Sequence, residues 1–315
     1  MTRQRSWRDF AALRLNFRAQ TLVNAASSLE NSGAVCSMVM RRMDAFFLYL
    51  SHTRMPVTIG WLVALLVWES AAPFFGFFQR RGTERLAHGV KNLLVGAASA
   101  IFPALGFVSL LAAVTAWTEA RDFGLLNVLP VAAFAHALGA LLILDVFTYW
   151  WHWANHRVPF LWRFHRVHHA DFKMDVTTAN RFHVGEIAMS SLLRVPLLWL
   201  TGIQLSELAL FETAMLLVVQ FHHANIGVGP RLDKLLRLVI VTPAMHKVHH
   251  SRFQPETDSN FTALLSVWDR LFRSFRLRDD PHTIEFGLDD FAAPEHQTLR
   301  GLYAIPLVKA RQRDT

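Results

Sequence analysis

Sixteen of the 315 residues are histidine, and their spacing is the feature of this sequence most able to do chemistry. Eleven fall in one stretch: His152, His156, His165, His168, His169, His183, His222, His223, His246, His249 and His250. His152 and His156 stand at i, i+4, which puts both rings on one face of a helix. His165, His168 and His169 form an HxxHH group, and His246, His249 and His250 repeat it. Imidazole is a nitrogen donor that suits iron, zinc, copper or nickel. So many donors exceed what one ion accepts, so the arithmetic favours a two-metal site. His52, His88, His282 and His296 read as ordinary surface or capping residues. His136, inside an apolar run without a matching partner, reads as a packing residue.

Several other metal chemistries do not fit. Soluble carboxylate di-iron bundles use a Glu-x-x-His pair, and no Glu here has a His three residues later. The HExxH signature of zinc proteases is missing, as is any carboxylate within the triads to serve a hydrolytic water. The one cysteine, Cys36, excludes a CxxC zinc site, an iron–sulfur cluster and a disulfide scaffold. An all-imidazole pair of irons that activates O2 suits this donor set better. A membrane zinc or iron transporter is the competing class. It would need ionisable residues within several spans, and the stretch 93–117 has none.

The elements that must position these rings are apolar. Hydrophobic residues make up 52% of the chain and charged residues 18%, with mean hydropathy +0.25, well short of the charge of an ordinary soluble domain. Three runs are long enough to cross a bilayer: 57–78, 93–117 and 128–151. A short apolar hairpin is expected over 187–221, built from two runs, 187–200 and 208–221. The fold class expected is all-α, a multi-span helical membrane protein with a histidine-rich helical catalytic region on the cytoplasmic side. Arg80, Arg81, Arg85 and Lys91 between the first two runs place that connector inside by the positive-inside rule, so the third run delivers His152 to the cytoplasmic face. The arginine-rich, Ala- and Leu-rich composition suggests a bacterial chain, hence an inner-membrane location. Net charge is +8, but the basic residues flank apolar runs and show no nucleic-acid-binding pattern. The expected division is a basic N-terminal segment over 1–54, a catalytic membrane domain over 55–280 and a C-terminal tail over 281–315. No h-region of a secretory signal stands near the start.

Around the histidines the residue order is distinctive. Asp145-x3-Tyr149-x2-His152-x3-His156-Arg157 is followed by Leu161-Trp162-x2-His165-x2-His168-His169, then Thr178-x2-Arg181-Phe182-His183-x2-Glu186. Gln220-Phe221-His222-His223-Ala224-Asn225, Thr242-Pro243-x2-His246-x2-His249-His250-Ser251, Asp258-Ser259-Asn260-Phe261 and Trp268-Asp269-Arg270-Leu271-Phe272 complete it. In this order and spacing the region 145–275 resembles the fatty acid hydroxylase/sterol desaturase superfamily. Val184 and Arg273 depart from the common pattern, where many relatives have Pro and Gly, and neither touches an expected ligand.

The resemblance implies a membrane di-iron enzyme that uses O2 to hydroxylate or desaturate a lipid. Sterol, fatty acyl, ether-lipid and carotenoid substrates all remain open. The ligands it implies are His152, His156, His165, His168, His169, His223, His246, His249 and His250, with His183 also expected; His223 is preferred to His222 because it precedes Ala224-Asn225. Two iron ions are the implied cofactor, with O2 as co-substrate. No nucleotide fingerprint or CxxC is present, so a separate electron donor of ferredoxin, cytochrome or reductase type is implied. Asp145, Tyr149, His152 and His156 share one helical stripe, and metal-bound imidazoles usually donate their second N–H to an oxygen. Asp145 is therefore the candidate to orient His152, with Asn225, Asp258 and Asn260 as further supporting residues. Glu69 lies within the first apolar run and needs a partner the sequence does not name.

Overall fold

The computed structural model describes residues 48–78 and 82–310, with positions 37, 38, 41 and 45 before them. Most of the basic segment 1–54, and Arg80 and Arg81 of the first connector, therefore lie outside the described residues. Within them the chain is all-helical, and extended pairing is limited to the isolated bridges Ile240–Leu265 and Ser251–Phe286.

Helix α1, Met55–Ala71, is shorter than the apolar run that suggested it. Pro73 cannot donate to a continuing helix, and Phe74 and Phe75 instead donate to the Asn225 carbonyl and Oδ1 (2.9 and 2.8 Å). Glu69 finds its partners in the fold: Arg85 at 2.6 Å and the amides of Asn225 and Val176 (2.8 and 3.1 Å). Helix α2, Thr83–Ala120, runs past both ends of the expected second run and bends by 46° between its halves Thr83–Ile101 and Ala104–Ala120. The sequence has a proline at position 103, at that break, and proline lacks the backbone N–H that a continuous helix uses. Helix α3, Ala133–Arg157, carries Asp145 to His156, and α4, Pro159–His169, carries the first HxxHH.

The expected short hairpin is larger than its apolar runs. Helix α5, Val184–Thr201, and α6, Leu205–His223, are each long enough to cross a membrane, as is α3. The runs looked short because each helix carries a glutamate in its first turn, Glu186 and Glu207, and α6 ends in His222 and His223. Gly202 ends α5 in the left-handed region at φ 75°, which only glycine adopts without cost. A Cβ there would stand 2.6 Å from Asn127 Nδ2. Three helices, or four with the bent α2, are long and apolar enough to span a bilayer among the described residues. Side chains such as Leu105, Phe134, Leu192 and Leu210 point outward from them, as lipid-facing surface requires.

The spans pack on one another through Leu111, Ala140, Leu144, Leu198, Leu208 and Phe211. Short helices then close the end where α3 finishes: α7, Pro230–Leu236; α8, Pro243–His249; α9, Gln254–Thr257; α10, Val267–Leu271; and α11, Leu299–Ala304. The segment expected as a tail packs on this layer. Phe291, Leu302 and Ile305 meet Val95, Val167 and Ala170, and Arg166 donates to the carbonyls of Ile305 and Val308 (both 2.6 Å).

Candidate metal centre

The two HxxHH groups meet across the layer and divide their rings between two neighbouring clusters. One cluster joins His152, His156, His165, His169 and His249; the other joins His168, His223, His246 and His250, and the donor atoms of each lie within 4.8 Å of one another. On α4 the i, i+4 pair His165 and His169 serves the first cluster while His168 turns to the second. On α8 the assignment is reversed: His246 and His250 serve the second cluster and His249 the first. Helix periodicity causes this split, because adjacent residues point about 100° apart while i and i+4 stay on one face. The clusters touch through the stacked rings of His169 and His250, 4.5 Å between centroids.

The outer nitrogens are held. His152 Nδ1 donates to the Phe261 carbonyl (2.6 Å), His249 Nδ1 to that of Ser259 (2.7 Å) and His223 Nδ1 to that of Val219 (2.8 Å). His165 Nδ1 donates to Glu186 (2.9 Å) and His156 Nδ1 meets Asp258 at 3.3 Å. An oxygen that only accepts fixes the proton on Nδ1, so the neutral ring turns an Nε2 lone pair inward. His223 Nε2 turns its lone pair toward His168 Nε2 (3.1 Å) and His246 Nε2 (3.0 Å), and the Nε2 lone pairs of His152 and His165 face each other at 3.1 Å. Two lone pairs at that distance repel unless a cation lies between them. Metal–nitrogen bonds of about 2.1 Å set two ligands at right angles about 3 Å apart. The donor set therefore fits a pair of transition-metal ions.

Burial strengthens that fit. The rings of His168, His169, His246 and His250 are held far below the ordinary imidazole range, first by burial and then by the neighbouring imidazoles. They stay neutral and available as ligands at physiological pH. His168 Nδ1, His169 Nδ1, His246 Nδ1 and His250 Nε2 have no hydrogen-bond partner.

Not every expected residue comes to the clusters. His183 caps the N-terminus of α5, its Nδ1 accepting from the Gly185 amide at 3.0 Å, and belongs to neither cluster. His222 is buried with its ring 3.8 Å from that of His246, and it too stands outside both. Asp145 does not orient His152. Its Oδ2 accepts from Trp268 Nε1 (2.7 Å) and the Leu265 amide (3.1 Å), because seven residues along a helix is about 10 Å, out of side-chain reach. Tyr149 bonds Ser274 Oγ at 2.9 Å, and Asn225 ties the strand-like segment at Phe75 to the end of α6. Asn260, at φ 51°, clips the carbonyls of Met245 and Arg276 (2.9 and 2.7 Å). Asp258 alone among the five reaches a cluster histidine.

Other residues do the bracing. Glu186 stands in the sequence pattern but its role shows only when α5 packs beside α4. The carbonyls of Val219, Ser259 and Phe261 have no side-chain signal at all. Asp269 takes the Phe261 amide (2.7 Å) and so steadies the strap that holds His152. Arg181 is fully buried and caps α4, with Nε on the Val167 carbonyl (2.9 Å) and Nη2 on that of Ala170 (3.0 Å). Its charge is balanced by Asp171, 3.7 Å away. Asp171 in turn meets His88 at 2.9 Å, so His88, unremarkable in sequence, locks α2 to the end of α4.

Residues 137–274, which contain both clusters, match the fatty acid hydroxylase family. An ornithine lipid hydroxylase, OlsE, of Rhizobium tropici is 26% identical over 85% of this chain and 80% of its own length. Alkylglycerol monooxygenases of Danio rerio and Homo sapiens are 33% and 28% identical, over 45% and 62% of the chain. The chain spans only 30% and 42% of the length of those two relatives. No solved structure matches the chain. The region that carries both imidazole clusters is thus the part of the chain that is similar to the fatty acid hydroxylase family.

Proposed function

We propose that this chain is a membrane-bound, O2-dependent non-haem di-iron hydroxylase acting on a lipid. The observation that carries the reading is the pair of lone pairs facing each other at His152–His165, each ring locked from behind by an accepting oxygen, beside a second cluster of buried imidazoles around His168 and His223. His152, His156, His165, His169 and His249 would hold one iron, and His168, His223, His246 and His250 the other. When bound, the iron pair supplies the oxidising power to insert an oxygen atom from O2 into an unactivated C–H bond. The chain's own part is to hold nine imidazoles in register and, by burial, to keep those of His168, His169, His246 and His250 neutral. Closely packed Phe182, Phe261 and Trp162 around them keep water out.

The relatives support hydroxylation over desaturation, since those reported are a monooxygenase type and a hydroxylase type, and a cholesterol 25-hydroxylase of Rattus norvegicus is also similar (28% over 47% of the chain). OlsE, which aligns over most of both chains, makes an amphipathic membrane lipid the favoured substrate class. A separate electron donor supplies the two reducing equivalents. The bacterial relative and the basic residues Arg85 and Lys91 in the first turns of α2 support an inner membrane with the clusters on its cytoplasmic side. The catalytic unit is assigned to 55–280. Metal transport finds no support in a pair of closed clusters at one end of the spans.

The test is direct. Protein purified with iron should hold about two irons per chain, and cells expressing it under labelled oxygen should accumulate a lipid one labelled oxygen heavier. Purified protein that takes up no iron, or membranes with an unchanged lipid profile, would refute the assignment.

A further inference from the structure

Beyond Gly229, past the last span, the structure exposes a set of large apolar side chains. Leu232, Leu235, Leu238 and Val239 on and after α7, and Val267 and Leu271 on α10, are 45–64% exposed. The two segments form one surface. Ser266 donates its amide to the Val239 carbonyl (3.0 Å) and its hydroxyl to that of Arg237 (2.7 Å). The inward side of α7 is already satisfied by Leu236 and Ile240, packed against Leu65 and Phe221. A helix bathed in water would carry polar residues on its other side.

The charges on this surface have one sign. Arg231, Lys234 and Arg273 are exposed, whereas the acidic residues of the two segments, Asp233 and Asp269, are buried. Asp233 is neutralised by Arg237 at 2.7 Å. Leucines interleaved with exposed cations are what a helix lying in the headgroup region presents.

The depth follows from what α10 touches. Trp268 Nε1 donates to Asp145, and the Phe272 ring lies 4.9 Å from that of Trp150. Trp150 is seventeen residues along α3 from Ala133, an axial rise of about 26 Å. The hydrocarbon layer is about 30 Å thick, so α10 docks on a part of the span that still lies at the membrane edge. Trp150, 44% exposed, has the character of an interfacial anchor.

We propose that the α7–α10 face is embedded in the membrane interface and binds anionic phospholipid headgroups through Arg231, Lys234 and Arg273. This face would hold the metal-bearing end of the bundle down on the leaflet. The inference is independent of the chemistry assigned to the clusters.

The experiment uses the full chain with Cys36→Ser, labelled with an environment-sensitive fluorophore at Leu235→Cys, and in a second variant at Leu271→Cys. Each is reconstituted in vesicles of phosphatidylcholine alone or with phosphatidylglycerol. Both labels should show blue-shifted emission and be quenched more by lipid nitroxides near the headgroup than by deep ones. The quenching should be stronger with phosphatidylglycerol at low salt, and Arg231→Glu/Lys234→Glu/Arg273→Glu should abolish that preference. Water-like, unquenched emission from both labels would overturn the proposal. So would blue-shifted emission that no lipid nitroxide quenches and that varies with the protein-to-lipid ratio, the signature of a second copy on this face. Equal quenching in the two vesicle types would overturn the anionic-headgroup assignment.

Discussion

Five of the cluster rings, those of His152, His156, His165, His223 and His249, have an oxygen behind them, and these oxygens differ in kind. Glu186 and Asp258 are side chains, while Phe261, Ser259 and Val219 contribute carbonyls. Only the side chains can be removed by mutation. Glu186→Ala should lower iron affinity or activity about 10–100-fold, the usual effect of losing an oxygen that orients a ligand; chelator competition would measure it. His168→Ala should lose bound iron, whereas His183→Ala should keep the full complement because its ring only caps α5. Iron analysis of the two variants side by side checks that contrast, and equal losses would return His183 to the ligand set.

At the level of elements, two devices hold the rings in place. Arg181 fixes the end of α4 through the Val167 and Ala170 carbonyls while Asp171 neutralises it inside the layer. Removing one partner of a buried ion pair costs about 3–5 kcal/mol because the other charge is stranded. Arg181→Ala should therefore lower the thermal unfolding midpoint in detergent strongly and weaken iron retention as well, since His168 and His169 sit on the turn it caps. The second device is the tight joint between α5 and α6. Gly202→Ala forces a side chain into the left-handed region at a cost of about 1–2 kcal/mol, besides the contact with Asn127. A modest fall in the same midpoint with iron content unchanged is the expected result, because the joint lies between the spans and no cluster ligand sits on it.

For the whole molecule, burying so many neutral imidazoles makes stability depend on pH. His168, His169, His246 and His250 have folded-state pKa values well below the ordinary one. Below about pH 6.5, the unfolded imidazole pKa, the unfolded chain thus binds more protons than the folded one. Stability then rises with pH through that region and falls on acidification. Bound iron adds to the slope, since protons compete for the same nitrogens. Unfolding midpoints of metal-free and iron-loaded protein between pH 5 and 8 should both fall toward acid, more steeply for the loaded form. A midpoint independent of pH would show that these rings are protonated or exposed in the folded protein.

The spacing of the histidines by itself marked out more metal-donor rings than one ion accepts, and periodicity placed each triad on a helix, because ligand chemistry and helical repeat are both local. The apolar runs likewise marked where spans must lie. Their ends were less legible: Pro73 and the polar caps of α5 and α6 moved helix boundaries away from the hydropathy edges. Partners that depend on which helices pack together were not legible at all. Asp145 shares a stripe with His152 but turns to Trp268, while Glu186, thirty-four residues past His152, stands behind His165. A helix wheel records direction around an axis and nothing of the neighbour across the groove. The tertiary structure alone decided which ring joins which cluster and which oxygen holds it, because those contacts form only when α3, α4, α6 and α8 converge.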